Sequence, residues 1–158
     1  MQTRKSSRAI VINKQNKIFL FRYTFDFFAE NDAIWITPGG ALDEGESFED
    51  ALKRELFEEM GIELTEPAPE IFYRTPLYEL KNGETVRSEE RFYLVRLDEI
   101  EFSYANWTES ENKRMTAGKW WSVEEIRQSE EKFFSEDIVG ILERLSRGET
   151  PKKPEKIR

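Results

Sequence analysis

One helical stretch constrains this chain more than any other feature. In "SFEDALKRELFEEMG", Ser47 to Gly61, Ser47 is a good N-cap, Asp50 sits three residues later and Gly61 is a natural stop. On a helix turning about 100° per residue, Phe48, Ala51 and Leu52 share one side, with Leu56 at its edge. Residues seven apart nearly superimpose on a helix. Glu55 is seven after Phe48, Glu58 seven after Ala51 and Glu59 seven after Leu52. The face that enters as an apolar stripe therefore leaves as three carboxylates. A solvated acidic face would place its glutamates opposite the stripe, not along it. Arg54 can pair with a neighbour, but one cation does not neutralise three crowded carboxylates. Like charges this close need positive charge beside them to stay ionised, and a divalent cation supplies it.

The residues before the helix point the same way. "IWIT" reads as a short strand broken by Pro38, Gly39 and Gly40. Glycines let backbone approach a ligand closely, and their N–H groups can face phosphate oxygens. The chain has no His and no Cys. Imidazole and thiol chemistry are thereby excluded, and so is a disulfide framework. A metal must be held by oxygen, which suits Mg²⁺ or Mn²⁺ better than Zn²⁺.

From Gly40 to Ile62 the fixed positions are Gly40, Glu46, Arg54, Glu55, Leu56, Glu58, Glu59, Gly61 and Ile62. The pattern resembles a complete Nudix box. The resemblance implies an α/β/α sandwich with a mixed β-sheet. It also implies metal-dependent hydrolysis, with Mg²⁺ or Mn²⁺, of a diphosphate linkage joining a nucleoside diphosphate to another group. Glu55, Glu58 and Glu59 would be the metal ligands, Arg54 and Glu46 would orient them, and Gly39 and Gly40 would present backbone to metal and phosphate. Some members of that family carry a catalytic glutamate on a loop beyond the last long strand, where Glu109 and Glu111 lie here. Two alternatives share the resemblance: a sensing module that binds a nucleotide without cleaving it, and an enzyme acting on RNA 5′ ends.

The length of 158 residues fits one domain, read here as residues 1–147, with 148–158 as a polar tail expected to be flexible. Arg8–Ile12 and Lys17–Tyr23 read as a hairpin around a polar turn. "EIFYRTPLYEL" and "TVRSEERFYLVRL" read as strands around an Asn-Gly hairpin signal at Asn82–Gly83. Ser122 and Glu125 form a capping box, and Ile138, Ile141, Leu142 and Leu145 repeat at helical spacing.

A net charge of −8 disfavours DNA and any long basic path for RNA. No apolar run is long enough for a membrane span. The expectation is a cytoplasmic protein acting on a small nucleotide, with a homodimer left open. Arg22, Arg87 and Arg91 are candidate phosphate contacts, weighed against ordinary surface ion pairs. Phe25, Phe27 and Phe28 are candidates for stacking on a base. Trp120 and Trp121 must face opposite sides of a strand, one of them in the core. Tyr78 resembles the downstream tyrosine of dinucleoside polyphosphate hydrolases, and Pro76 falls near the place expected in ADP-ribose pyrophosphatases.

Overall fold

The computed structural model describes residues 2–24, 33–97 and 115–158. Its spine is a parallel pair, β1 (Gln2–Ile12) beside β7 (Thr85–Arg96), in continuous register from Gln2 opposite Val86 to Ile12 opposite Arg96. Both strands carry uninterrupted apolar runs, Ala9–Ile12 and Phe92–Val95. Strands that are covered on both faces need such runs. Ile10, Ile12, Phe92 and Leu94 point to one face, and Ala9, Val11, Tyr93 and Val95 to the other.

The remaining strands build outward. β2 (Ile18–Thr24) follows β1 through a turn in which Asn13 Oδ1 accepts from the N–H groups of Gln15 and Lys17, and Asn16 takes a φ of 59°. β3 (Ala33–Ile36) and β8 (Met115–Trp121) flank β2, and β4 (Gly39–Ala41) pairs with β1. On the far side, β5 (Glu70–Arg74) and β6 (Leu77–Glu79) pair with β7. Parallel and antiparallel pairs together make the sheet mixed.

The helices form two outer layers. α1 (Phe48–Met60) covers the Ala9–Val11 face with Phe48, Leu52, Leu56 and Met60. α2 (Val123–Gln128) and α3 (Ile138–Ser146) cover the opposite face with Ile126, Ile138, Ile141, Leu142 and Leu145. The fold is therefore the expected α/β/α sandwich. The capping box closes as read, with Ser122 Oγ accepting from Glu125 N–H and Glu125 Oε1 accepting from Ser122 N–H, both at 3.1 Å. Trp121 sits in the core against Trp35, ring centroids 5.0 Å apart, while Trp120 packs on Phe19 across the sheet. No described helix is long and apolar enough to cross a membrane.

The Asn-Gly hairpin forms as read, with Leu80 N–H donating to the carbonyl of Glu84 at 2.8 Å and Gly83 at a φ of 85°. Two local expectations change. The first strand begins at Gln2, not Arg8, because the long parallel partner β7 extends its ladder.

The second correction concerns the tail. It is not a free end, because β9 (Glu155–Lys156) adds to β5 in parallel and Ile157 is buried. Arg158 donates to Asp137 with its backbone N–H (2.8 Å) and its guanidinium (2.6 Å). A buried isoleucine, strand pairing and the Arg158–Asp137 bonds together dock an otherwise polar segment, and composition alone hides that.

Candidate active site

The site forms where β4 meets α1. Ser7 of β1 donates its hydroxyl to the carbonyl of Phe48 at 2.6 Å, which ties the first turn of α1 to the sheet. Ser47 accepts from Asp50 N–H at 3.1 Å and caps the helix. At the other end, Gly61 adopts a φ of 65°, and its N–H bonds to the carbonyl of Phe57 at 3.0 Å. These two ends set the rotation of α1 and hence the direction of its last two turns.

That rotation puts Glu55 and Glu59 inside, only 8% and 3% exposed, and leaves Glu58 at the rim. Each buried carboxylate meets one glycine of the preceding turn. Gly39 N–H donates to Glu59 Oε1 at 2.7 Å. A Cβ on Gly40 would lie 2.5 Å from Glu55 Oε1, so the absence of a side chain there is what admits Glu55. Gly39 has no alternative either. Its φ is 136°, and a Cβ would fall 2.1 Å from the carbonyl oxygen of Ser7. The Gly-Gly pair is thus a steric requirement of the carboxylate arrangement as well as a strand break.

Arg54 organises the outer part. Its Nε and Nη2 grip both oxygens of Glu46 at 2.9 and 2.8 Å, and Nη2 also donates to the carbonyl of Ala41 at 3.0 Å. Nη1 donates to Glu55 at 2.9 Å and to Glu58 at 3.4 Å, and Asp43 lies 3.2 Å from Nε. Glu46 in turn accepts from Asp43 N–H at 2.9 Å. The guanidinium beside it pulls the Glu46 carboxyl down to about 2. The same bonds raise the affinity of Arg54 for its proton, Glu46 contributing most, so it stays charged throughout.

One cation therefore reaches four carboxylates, more than its position in the sequence announces. Glu59 accepts from the backbone N–H of Gly39. Among the described residues no three acidic side chains are grouped as they would be around an ion. Arg54 draws Glu55 and Glu58 toward itself, while the Gly39 N–H holds Glu59. The donor chemistry nonetheless fits a hard divalent cation, with carboxylate oxygens facing one glycine turn and no nitrogen or sulfur ligand nearby.

The other expected residues are placed as follows. Arg91 stacks on Phe48, its guanidinium carbon 3.8 Å from the ring centroid, and pairs with Glu89 at 3.3 Å and Glu70 at 3.8 Å. It is committed to the flank of α1 and is not gathered with the glycine turn. Arg22 lies on β2 opposite Trp35, 3.6 Å from Glu131. Arg87 is exposed on β7. Tyr78 is near Arg74 (3.4 Å), which forms a largely buried pair with Glu90 at 2.6 Å. Burial pushes the Tyr78 hydroxyl up. Glu109, Glu111, Phe25, Phe27 and Phe28 lie outside the described residues.

One residue was missed in the sequence. Arg8 sits opposite Gly39 in the β1–β4 register, and its Nη1 donates to the carbonyls of Thr37 (3.2 Å) and Gly39 (3.0 Å). Only the pairing of two strands thirty residues apart brings it to the site, and no local pattern marks it.

The sequence model of the NUDIX domain matches residues 2–142. An RNA pyrophosphohydrolase of Wolbachia pipientis subsp. Culex pipiens (strain wPip) is 28% identical over 148 residues, covering 87% of this chain and 85% of that protein. Among solved structures, a MutT NUDIX hydrolase from Burkholderia pseudomallei superposes with a TM-score of 0.63 over 92% of this chain and 99% of its own, at 23% identity. An ADP-ribose pyrophosphatase from Streptococcus suis superposes with a TM-score of 0.62 over 97% of this chain and 98% of its own, at 20% identity. At such identities the two structures speak for the fold alone.

Proposed function

The chain belongs to the Nudix family, and from that premise we propose that it is a divalent-metal-dependent hydrolase of phosphoric anhydrides. Its substrate is a nucleoside diphosphate joined to a further group, and water cleaves the diphosphate linkage. The observation that carries the proposal is the matched packing of two glycines against two buried glutamates, Gly39 against Glu59 and Gly40 against Glu55. A fold that needed only a helix and a turn would not bury two carboxylates there, because buried charge is costly unless a partner compensates it.

Glu55, Glu58 and Glu59 would hold the cation, Mg²⁺ or Mn²⁺, once Glu55 and Glu58 turn from Arg54. Bound there, it would neutralise phosphate charge and lower the pKa of a coordinated water. Arg54, gripped by both oxygens of Glu46, would stay fixed at the edge of the cluster. Gly39 N–H fixes the rotamer of Glu59. The proton of the attacking water goes to a carboxylate, since the chain has no His. Glu109, Glu111 and the helix glutamates are the available acceptors.

A second reading, pyrophosphate removal from RNA 5′ ends, is favoured by one specific observation. Relatives from four Wolbachia strains, 26–28% identical to this chain, carry the name RNA pyrophosphohydrolase. The chemistry at phosphorus is the same, and the two readings differ in the leaving group. The test is a panel at fixed Mg²⁺ containing a nucleotide sugar, ADP-ribose, a dinucleoside polyphosphate and a 5′-triphosphorylated oligoribonucleotide. Turnover of any one supports the hydrolase reading, and the preferred member decides between the two substrates. No turnover on any, with either Mg²⁺ or Mn²⁺, would favour the sensing module.

A further inference from the structure

Among the described residues, Arg8 has no carboxylate partner, in a chain whose net charge is −8. Arg22, Arg54, Arg74, Arg91, Arg127, Arg144, Arg147 and Arg158 each pair with an acidic side chain. Arg8 is half-buried, and its hydrogen bonds among the described residues are two, both from Nη1 to backbone carbonyls. A guanidinium carries five N–H donors, two of them on Nη1. The carbonyls of Thr37 and Gly39 use that pair. The three donors on Nε and Nη2 meet no described protein acceptor.

The unused part has a particular shape. Nε–H and one Nη2–H form a parallel fork that matches two oxygens of a phosphate or carboxylate. The two Nη1 bonds hold the fork in place, so little rotamer freedom is lost when an anion arrives. Its location is fixed by the glycine turn. Arg8 bonds to the carbonyl of the same Gly39 whose N–H holds Glu59. Ala9 N–H donates to the carbonyl of Pro38 at 2.8 Å, so β1 holds the turn on both sides of Arg8. A half-buried charge with no counter-charge among the described residues is costly to maintain. A phosphate group of the substrate is the partner that removes this cost.

We propose that Arg8 is a substrate-binding residue, tethered through Nη1 to the Gly39 turn and presenting Nε and Nη2 to a phosphoryl group of the anhydride substrate. The assignment rests on the hydrolase reading for the identity of the anion, but not for the existence of an anion site. Arg8 thus ties the geometry of the carboxylate cluster to occupancy by substrate. Lysine at this position would keep the charge and lose the fork.

The test uses the whole protein and inorganic pyrophosphate with Mg²⁺ as probe. Calorimetry should show binding to the wild type, weakened on the order of 10- to 100-fold in Arg8→Met, as expected for one lost charge-assisted pair. Arg8→Lys should recover only part. In turnover assays, KM should rise by a similar factor while kcat changes less. Mapping phenylglyoxal modification in the wild type gives a reading that needs no variant to fold, and pyrophosphate should protect Arg8 there.

Unchanged pyrophosphate affinity in a folded Arg8→Met protein would overturn the assignment. So would modification of Arg8 at the same rate with and without pyrophosphate, or a wild type that binds no pyrophosphate. A protein that hydrolyses its substrate with unaltered KM in Arg8→Met loses the Arg8 site and keeps the hydrolase reading. A protein that hydrolyses nothing, yet binds pyrophosphate through Arg8, keeps the site and loses the reading.

Discussion

Replacing Glu46 by Gln removes a charge and leaves the side chain nearly the same size. In the wild type, Arg54 grips both Glu46 oxygens and holds the carboxyl near 2, down from 4.5. Taken at full value, that displacement corresponds to about 3 kcal/mol of stability at neutral pH. The Glu46 side chain is 14% exposed and lies in a loop at the rim, so solvent screens part of the attraction and about 1–2 kcal/mol is the figure to expect. The sign follows from the direction. A carboxyl lowered on folding stabilises the native state above its unfolded value and loses that contribution as pH falls toward its folded value.

The wild type should therefore exceed Glu46→Gln by about 1–2 kcal/mol at pH 7, or about 2–8 °C in Tm for a chain of this size. The gap should shrink between pH 4.5 and pH 2. Chemical denaturation monitored by circular dichroism at pH 7, 5, 3.5 and 2.5 measures it. A gap that is absent at pH 7, or equally large at every pH, would refute the assignment of the stabilisation to this ion pair.

Further outcomes separate backbone roles from carboxylate roles. Gly39→Ala places a Cβ against the Ser7 backbone at a φ of 136°, so it should destabilise the fold by more than about 3 kcal/mol in denaturant titration. Gly40→Ala instead meets the movable end of Glu55, so it should stay folded within about 1 kcal/mol while activity falls at least about 10-fold. Mg²⁺ at millimolar concentration should raise Tm more than NaCl of matched ionic strength, since a ligand of the native state alone adds stability that grows with the logarithm of its concentration over its dissociation constant. Equal shifts from the two salts would count against a specific cation site.

The legible part of this protein was local. Ser47, Gly61 and the seven-residue offsets from Phe48, Ala51 and Leu52 were enough to place α1 and to turn Glu55 and Glu59 inward, where they are found, while Glu58, expected on the same face, stays at the rim. Helix periodicity is a property of neighbouring residues, and so are caps. What escaped depended on distant pairing. Arg8 meets Gly39 only because β1 and β4 pair, and Ile157 is buried only because β5 offers an open edge. The resemblance paired Arg54 with Glu46, as found, whereas its further reach to the Ala41 carbonyl depends on how the loop before α1 folds back over the helix. The partners of Arg91 were also set largely by distant pairing, since Phe48 and Glu70 of other segments lie against it, beside its strand neighbour Glu89.

The central claim is that Glu59, oriented by the Gly39 N–H, serves catalysis and not the fold. Its measurement is kcat for Glu59→Gln on the preferred panel substrate across a Mg²⁺ titration, with the unfolding free energy of the same preparation beside it. The amide keeps the shape and an acceptor for Gly39, so stability should change by less than about 1 kcal/mol. Turnover should fall on the order of 10²-fold or more at saturating Mg²⁺, as when a charged group that serves the transition state is lost. Wild-type turnover in a folded Glu59→Gln protein, at limiting or at saturating Mg²⁺, would contradict the account.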